Sequence, residues 1–173
     1  MQKVMLFGSS DIYEIPEMIE NHMREIVNAL NGDVKFLVGD GKSIDSGFHK
    51  ALSAIGARDK SVIYSIDNVR NNKFELPVRL FKSSYDLEKS ELQIADETGE
   101  VIFKDEKVGD IDKATTNPAY RSFTMRKMID DCDFAICYKL DNPKYLKTYI
   151  MSLNARNKYI YMYNIFSGTT MPN

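Results

Sequence analysis

A chain of 173 residues, 43% hydrophobic and 28% charged, is long enough for one self-sufficient core and has the make-up of an ordinary globular domain. Its net charge of −2 argues against a general attraction to nucleic acid or to an anionic membrane, so neither partner is expected. His22, His49, Cys132 and Cys137 are all the histidines and cysteines, and they form no cluster with zinc-ligand spacing; no metal and no cofactor are expected.

Residues 3–8 read as a strand that ends in Gly8-Ser9-Ser10. A helix follows, with Pro16 suited to its first turn. Ile19, Met23, Ile26, Val27 and Leu30 recur on one face, and Gly32 suits the position just past the end. Residues 35–39 form a second strand. The next helix spans about 43–55, with Ile44, Phe48, Leu52 and Ile55 on its inner face and Gly56 closing it. Residues 61–66 form a third strand. Strand and helix thus alternate with short connections, the pattern of a parallel sheet with right-handed crossovers.

The alternation breaks between Asp67 and Pro118. Arg70-Asn71-Asn72 opens this polar stretch, and residues 76–81 are apolar. Residues 92–96 and 101–104 flank Glu97-Thr98-Gly99-Glu100 as a β-hairpin. We treat 73–116 as an insertion within one domain spanning 1–173: a solvated ornament, a lid or an oligomer contact. Helix and strand then return. Asn117 caps a helix with Pro118 in its first turn and Met125, Met128 and Ile129 facing inward. Residues 134–138 are a fourth strand. Asn142 and Pro143 start a helix carrying Leu146, Tyr149, Ile150 and Leu153. Residues 158–163 are a fifth strand, and 167–173 a loose tail. The sum is an α/β, Rossmann-like three-layer sandwich. Its sheet is five-stranded and mainly parallel, in the order 3-2-1-4-5, with a β-hairpin insertion.

Cys132 and Cys137 lie too far apart along one strand to bridge and read as buried free thiols in a reducing compartment. The apolar run Val4-Met5-Leu6-Phe7 is too short for a signal peptide or a span, so a cytoplasmic location is expected. The tyrosines of Tyr159-Ile160-Tyr161-Met162-Tyr163 alternate at strand period. They suggest an edge strand with an adhesive face, and with the hairpin they make a homo-oligomer the expected state.

In a parallel sheet, ligands bind beyond the carboxyl ends of the strands, where helix N-termini offer free N–H groups. Two segments fall there. Gly39-Asp40-Gly41-Lys42-Ser43 imitates the end of a P-loop, but the glycine that motif needs five positions before Gly41 is Phe36, which argues against an NTPase. The first loop lacks the G-x-G-x-x-G fingerprint, which argues against a standard dehydrogenase. As a binding loop, Gly39 and Gly41 permit close backbone approach, Lys42 neutralises an anion, and Asp45 accepts from hydroxyls. As a plain strand-to-helix turn, Asp45 merely complements the helix dipole. The second segment holds Lys139, Asp141, Asn142 and Lys144, which either frame an anion or form a solvated loop. Gly8, Ser9 and Ser10 share the same edge, and Arg121 is a further candidate ligand contact. Arg126 is read as facing solvent, Asp133 as structural, and His49 as a partly buried packing residue. Asp40, Asp45 and Asp141 could converge, which would allow an oxocarbenium-like centre to be stabilised.

Val38-Gly39-Asp40-Gly41, Ile44-Asp45 and His49-Lys50-Ala51-Leu52 resemble the glycine-aspartate turn and helix of the SLOG superfamily, the Rossmann-like fold shared by DprA and the LOG phosphoribohydrolases. The resemblance is closest to its circularly permuted YpsA-like branch. Gly8-Ser9-Ser10 is similar to that branch's first-strand loop, Arg70-Asn71-Asn72 to an Arg-x-Asn element after the third strand, and 125–133 to the segment leading into the fourth. The resemblance implies a five-stranded parallel sheet and a pocket for nucleotide-derived ligands across the first, second and fourth strand ends. It marks Gly8, Ser9, Gly39, Asp40, Gly41 and Asp45 as pocket residues. The family's Gly-Thr phosphate loop has no counterpart in 139–144, and the LOG-type Pro-Gly-Gly motif is absent.

The resulting expectation is a protein that senses or sequesters a nucleotide-derived small molecule of ADP-ribose-like character, with no catalytic residues assigned. Two alternatives stand beside it: an N-glycosidic hydrolase or transferase acting on a nucleotide, and an oligomeric interaction protein without a ligand. The ligand-contact set is Gly8, Ser9, Ser10, Gly39, Asp40, Gly41, Lys42, Asp45, Arg70, Asn71, Arg121, Lys139, Asp141 and Asn142.

Overall fold

The structure, a computed structural model, describes residues 1–82, 93–95, 101–103, 118–140, 146–166 and 169–172. Strand β1 (Gln2–Gly8) is followed by α1 (Glu17–Ala29), β2 (Val34–Val38), α2 (Ile44–Ala54), a single 3₁₀ turn at Arg58–Lys60, and β3 (Ser61–Ile66). Then come β4 (Val78–Phe81), β5 (Gln93–Ala95), β6 (Val101–Phe103), α3 (Pro118–Asp131), β7 (Phe134–Leu140), α4 (Lys147–Ala155), β8 (Tyr159–Phe166) and β9 (Thr169–Pro172).

The main sheet runs β4-β3-β2-β1-β7-β8-β9. All neighbours are parallel except β8 and β9, while β5 and β6 pair as a separate antiparallel hairpin. The expected order of the first five strands is therefore present as β3-β2-β1-β7-β8. Two additions correct the five-strand count. Residues 78–81, placed within the insertion by the sequence, pair with β3 as a sixth parallel strand. Residues 169–172, expected as a loose tail, pair antiparallel with β8, Phe166 opposite Thr169. Short strands such as these carry too little periodicity to be read from one sequence.

Alternation along each strand feeds two cores. Val4, Leu6, Phe36, Val38, Ile63 and Ile136 meet Ile19 and Met23 of α1 and Phe48 and Leu52 of α2 on one face. Met5, Phe7, Leu37, Ala135 and Cys137 meet Phe123, Met128 and Ile129 of α3 and Leu153 of α4 on the other. This is the three-layer arrangement of a doubly covered parallel sheet. Cys132 and Cys137 are buried free thiols, and burial pushes the latter up to about 12. Asp133 is structural, as expected: its carboxylate accepts from the Lys3 N–H at 2.8 Å, tying β1 to β7.

Three helices end in the same way. After α1, Asn31 takes the left-handed conformation (φ 53°) and the Gly32 N–H returns to Val27 O at 2.8 Å. The first residue past that cap is thus Asn31, with Gly32 (φ 78°) one step further on than the sequence suggested. Gly56 and Asn157 fill the same position after α2 and α4. The last helix, expected to begin at Asn142 and Pro143, is described from Lys147; residues 141–145 lie outside the described residues. Among the described residues no helix is long and apolar enough to cross a membrane.

Candidate functional site

The strand order reverses at β1: β2 lies on one side and β7 on the other. In open α/β sheets, the crevice beyond the carboxyl ends at such a switch point is where ligands bind. Here that crevice is stitched closed at its base. The Ser9 N–H donates to Tyr138 O at 3.0 Å, and Ser9 Oγ accepts from the Leu140 N–H at 2.9 Å. Gly8 is required by the same closeness, since a Cβ there would lie 2.0 Å from Tyr138 O. Gly8 and Ser9 therefore join the ends of β1 and β7, and Ser9 is fully buried. Ser10 beside them is exposed.

The loop from β2 to α2 forms a tighter structure. Asp40 is 7% exposed and takes four donors. Oδ2 accepts from Ser65 Oγ at 2.8 Å and the Arg70 N–H at 3.1 Å; Oδ1 accepts from Arg70 Nε at 3.1 Å and Nη2 at 2.9 Å. Asp45 sits beneath the Gly39-Asp40-Gly41 turn, with its Oδ2 accepting from the Gly41 N–H at 2.9 Å. A Cβ on Gly39 would come within 2.5 Å of that oxygen, and one on Gly41 within 2.8 Å, which is why both positions are glycine. Asn71 Nδ2 donates to Gly41 O at 3.0 Å, holding the turn from the β3 side.

His49, one helical turn beyond Asp45, completes the clamp. Its Nε2 donates to Gly39 O at 2.8 Å, since a carbonyl can only accept. The ring is fully buried, and Nδ1 has no partner among the described residues. Burial lowers the His49 pKa and keeps the ring neutral. Asp45 as a residue is only partly buried, but its carboxyl end is enclosed under the turn, and that enclosure raises its pKa; the Gly41 N–H and His49 oppose the rise.

Of the sequence-derived set, Gly39, Asp40, Gly41, Asp45, Arg70 and Asn71 come together in this one network. Gly8 and Ser9 form the neighbouring junction. Lys42 is exposed at the rim, and Lys139 is partly buried at the end of β7. Arg121 lies on α3; its side chain, together with Asp141 and Asn142, is outside what is described. Sequence reading missed three residues. Ser65 is an Asp40 partner whose only signal was a small hydroxyl in an apolar strand. His49 was read as partly buried packing and is fully buried beneath the turn; its spacing of four from Asp45 placed both on one helix face. Asn164 stands beside Lys139 in the β7–β8 register, 5% exposed, and its Oδ1 has no partner among the described residues.

The internal partners decide what this arrangement can do. Both oxygens of Asp40 are occupied and one oxygen of Asp45 is held by backbone, so both side chains serve to fix the turn. The residues form instead a rigid turn whose glycine faces are filled by Asp45, beside the N-terminus of α2, where Ser43 makes no side-chain cap. Among the described residues no group of three or more His, Cys, Asp and Glu could hold a metal ion.

Comparison with family models, with curated proteins and with solved structures returns no match in any of the three.

Proposed function

We propose that the protein binds a nucleotide-derived small molecule at the carboxyl edge of its sheet and acts as a sensor or a sequestering module, in line with the SLOG-like pattern of its loops. The observation that carries this reading is the Gly39-Asp40-Gly41 turn. It is gripped by Asp45, His49, Asn71 and Arg70, so that it is held in one conformation before any ligand arrives. Preorganised backbone beside a helix N-terminus suits an anionic group such as a phosphate, and exposed Lys42 adds a positive charge at the rim. Binding is favoured over N-glycosidic cleavage because both oxygens of Asp40 and one of Asp45 are engaged in holding the turn.

The test is analysis of material released by denaturing the purified protein. The chain has no Trp, so absorbance near the nucleobase band in excess of its tyrosine content is readily seen. Co-purified nucleotide, or a raised melting temperature with one member of a panel that includes ADP-ribose, is the expected result. A clean preparation that no member of the panel stabilises overturns the proposal. Release of free base from any nucleotide in the panel supports the enzyme reading instead.

A further inference from the structure

A second concave surface lies away from the sheet edge, between α1 and β8. It is an open groove of about 620 Å³ lined by Glu17, Met18, Asn21, His22, Glu25, Tyr161 and Tyr163. Its floor is aromatic: the His22 and Tyr161 rings meet edge to face at 4.5 Å, and the Tyr163 hydroxyl bonds His22 Nδ1 at 2.7 Å. That hydrogen bond fixes the ring of His22 and, through it, the position of Tyr161. Tyr159, in contact with Tyr161, is 60% exposed and extends the aromatic surface along the strand.

The charge on this surface is one-sided. Glu17 and Glu25 both line it, and no Lys or Arg does. Among the described residues neither glutamate makes an ion pair; Arg24, which is not part of the lining, stands beside the groove and donates to the lining residue Asn21 at 2.9 Å. Burial lowers the His22 pKa, so the ring adds no competing positive charge at neutral pH. Tyrosine faces attract guanidinium and ammonium groups, and unpaired carboxylates at the rim add to that attraction.

The spacing of the carboxylates selects among cations. Eight residues of helix place the Glu17 and Glu25 backbones about 12 Å apart. One small cation could meet both only with the two side chains drawn fully toward each other along the helix. Two basic side chains four residues apart on an extended chain are separated by about 13 Å, which matches. We propose that the α1–β8 groove docks an extended peptide segment of a partner protein carrying two Arg or Lys residues four apart.

The test uses a nine-residue peptide with two arginines four apart and a terminal Trp, titrated at low salt by Trp fluorescence, to which this Trp-free chain contributes nothing. Saturable binding is expected, weakened about tenfold in Glu17→Gln/Glu25→Gln, since two exposed ion pairs are lost. Tyr161→Ala is expected to weaken it independently of the glutamates, and a peptide with adjacent arginines to bind less well. The proposal is overturned if wild-type protein does not bind, or if the glutamine double variant binds equally well. Competition by free arginine amide at the same concentration as the peptide also overturns it, because a single cation would then suffice.

Discussion

Two of the three guanidinium nitrogens of Arg70 converge on one oxygen of Asp40, Nε at 3.1 Å and Nη2 at 2.9 Å from Oδ1, while the backbone N–H of the same Arg70 reaches Oδ2. One residue after β3 therefore grips the loop after β2 from two directions. The Asp40 side chain is 9% exposed, so losing its cation would leave a buried charge held only by the Ser65 hydroxyl and one backbone N–H. Arg70→Ala is expected to destabilise the fold by about 3 kcal/mol. Adding Asp40→Asn should recover part of that loss, because a neutral amide is less costly to bury. Urea unfolding of the two variants checks this. If Arg70→Ala unfolds at the wild-type midpoint, the pair does not hold the turn.

Asp45 separates charge from hydrogen bonding. Its enclosed carboxylate raises its own pKa but accepts the Gly41 N–H. An asparagine can still accept that bond and buries no charge, so Asp45→Asn should retain wild-type stability at neutral pH. Asp45→Ala leaves the Gly41 N–H unpaired and should cost about 1–2 kcal/mol. Thermal unfolding at pH 7 distinguishes them; equal losses in both variants would show that the charge itself stabilises the turn.

The framework of this fold was legible because its signals are local and repeated. The alternation of Val4, Leu6 with Met5, Phe7, and the helical spacing of Ile19, Met23 and Ile26, need nothing but the chain's own periodicity. The five strands followed from that. What was not legible depends on partners distant in sequence. Nothing near Asp40 announces that Ser65 and Arg70 complete it, and nothing near Ser9 announces that Leu140, 131 residues on, donates to its hydroxyl. Residues read as ligand contacts thus hold one another, because a buried polar side chain must find a partner and the nearest ones are internal. The edge strands β4 and β9 were missed for a related reason: a four-residue strand is specified by its neighbour more than by its own pattern.

Two glycines separate steric need from conformational need. At Gly8 a Cβ would meet the Tyr138 carbonyl, a backbone group that cannot rotate away without parting β1 from β7. Gly8→Ala should cost about 3 kcal/mol or more. At Gly56 no atom lies within 4 Å of the added Cβ, but φ is 72°. Gly56→Ala should therefore cost only the left-handed penalty, about 1–2 kcal/mol. Chemical denaturation of both gives the comparison, and the expectation fails if Gly8→Ala is the milder change.

Acid should weaken the fold before its carboxylates titrate, and His22 provides one cause. Burial lowers its pKa below 6.5, against the opposing pull of Glu25; the other polar group facing it is the Tyr163 hydroxyl, whose own pKa is raised by burial. With Nδ1 unprotonated, His22 accepts a hydrogen bond from the Tyr163 hydroxyl, and protonation removes that acceptor. In the unfolded chain the imidazole titrates near 6.5. As pH falls past that value the unfolded state takes up a proton that the folded state refuses, so stability present above it is lost as pH drops through the folded pKa. His49, also lowered, acts in the same direction. Asp45 acts oppositely: with its folded pKa raised above 3.8, its contribution is complete below that value and is lost as pH rises through the folded pKa. His22→Phe keeps an aromatic ring but cannot titrate, and leaves His49 and Asp45 in place. Between about pH 7.5 and pH 5.5 its urea midpoint should fall less than that of the wild type. Parallel declines in the two proteins would remove His22 as a source of the acid sensitivity and leave His49 to account for it.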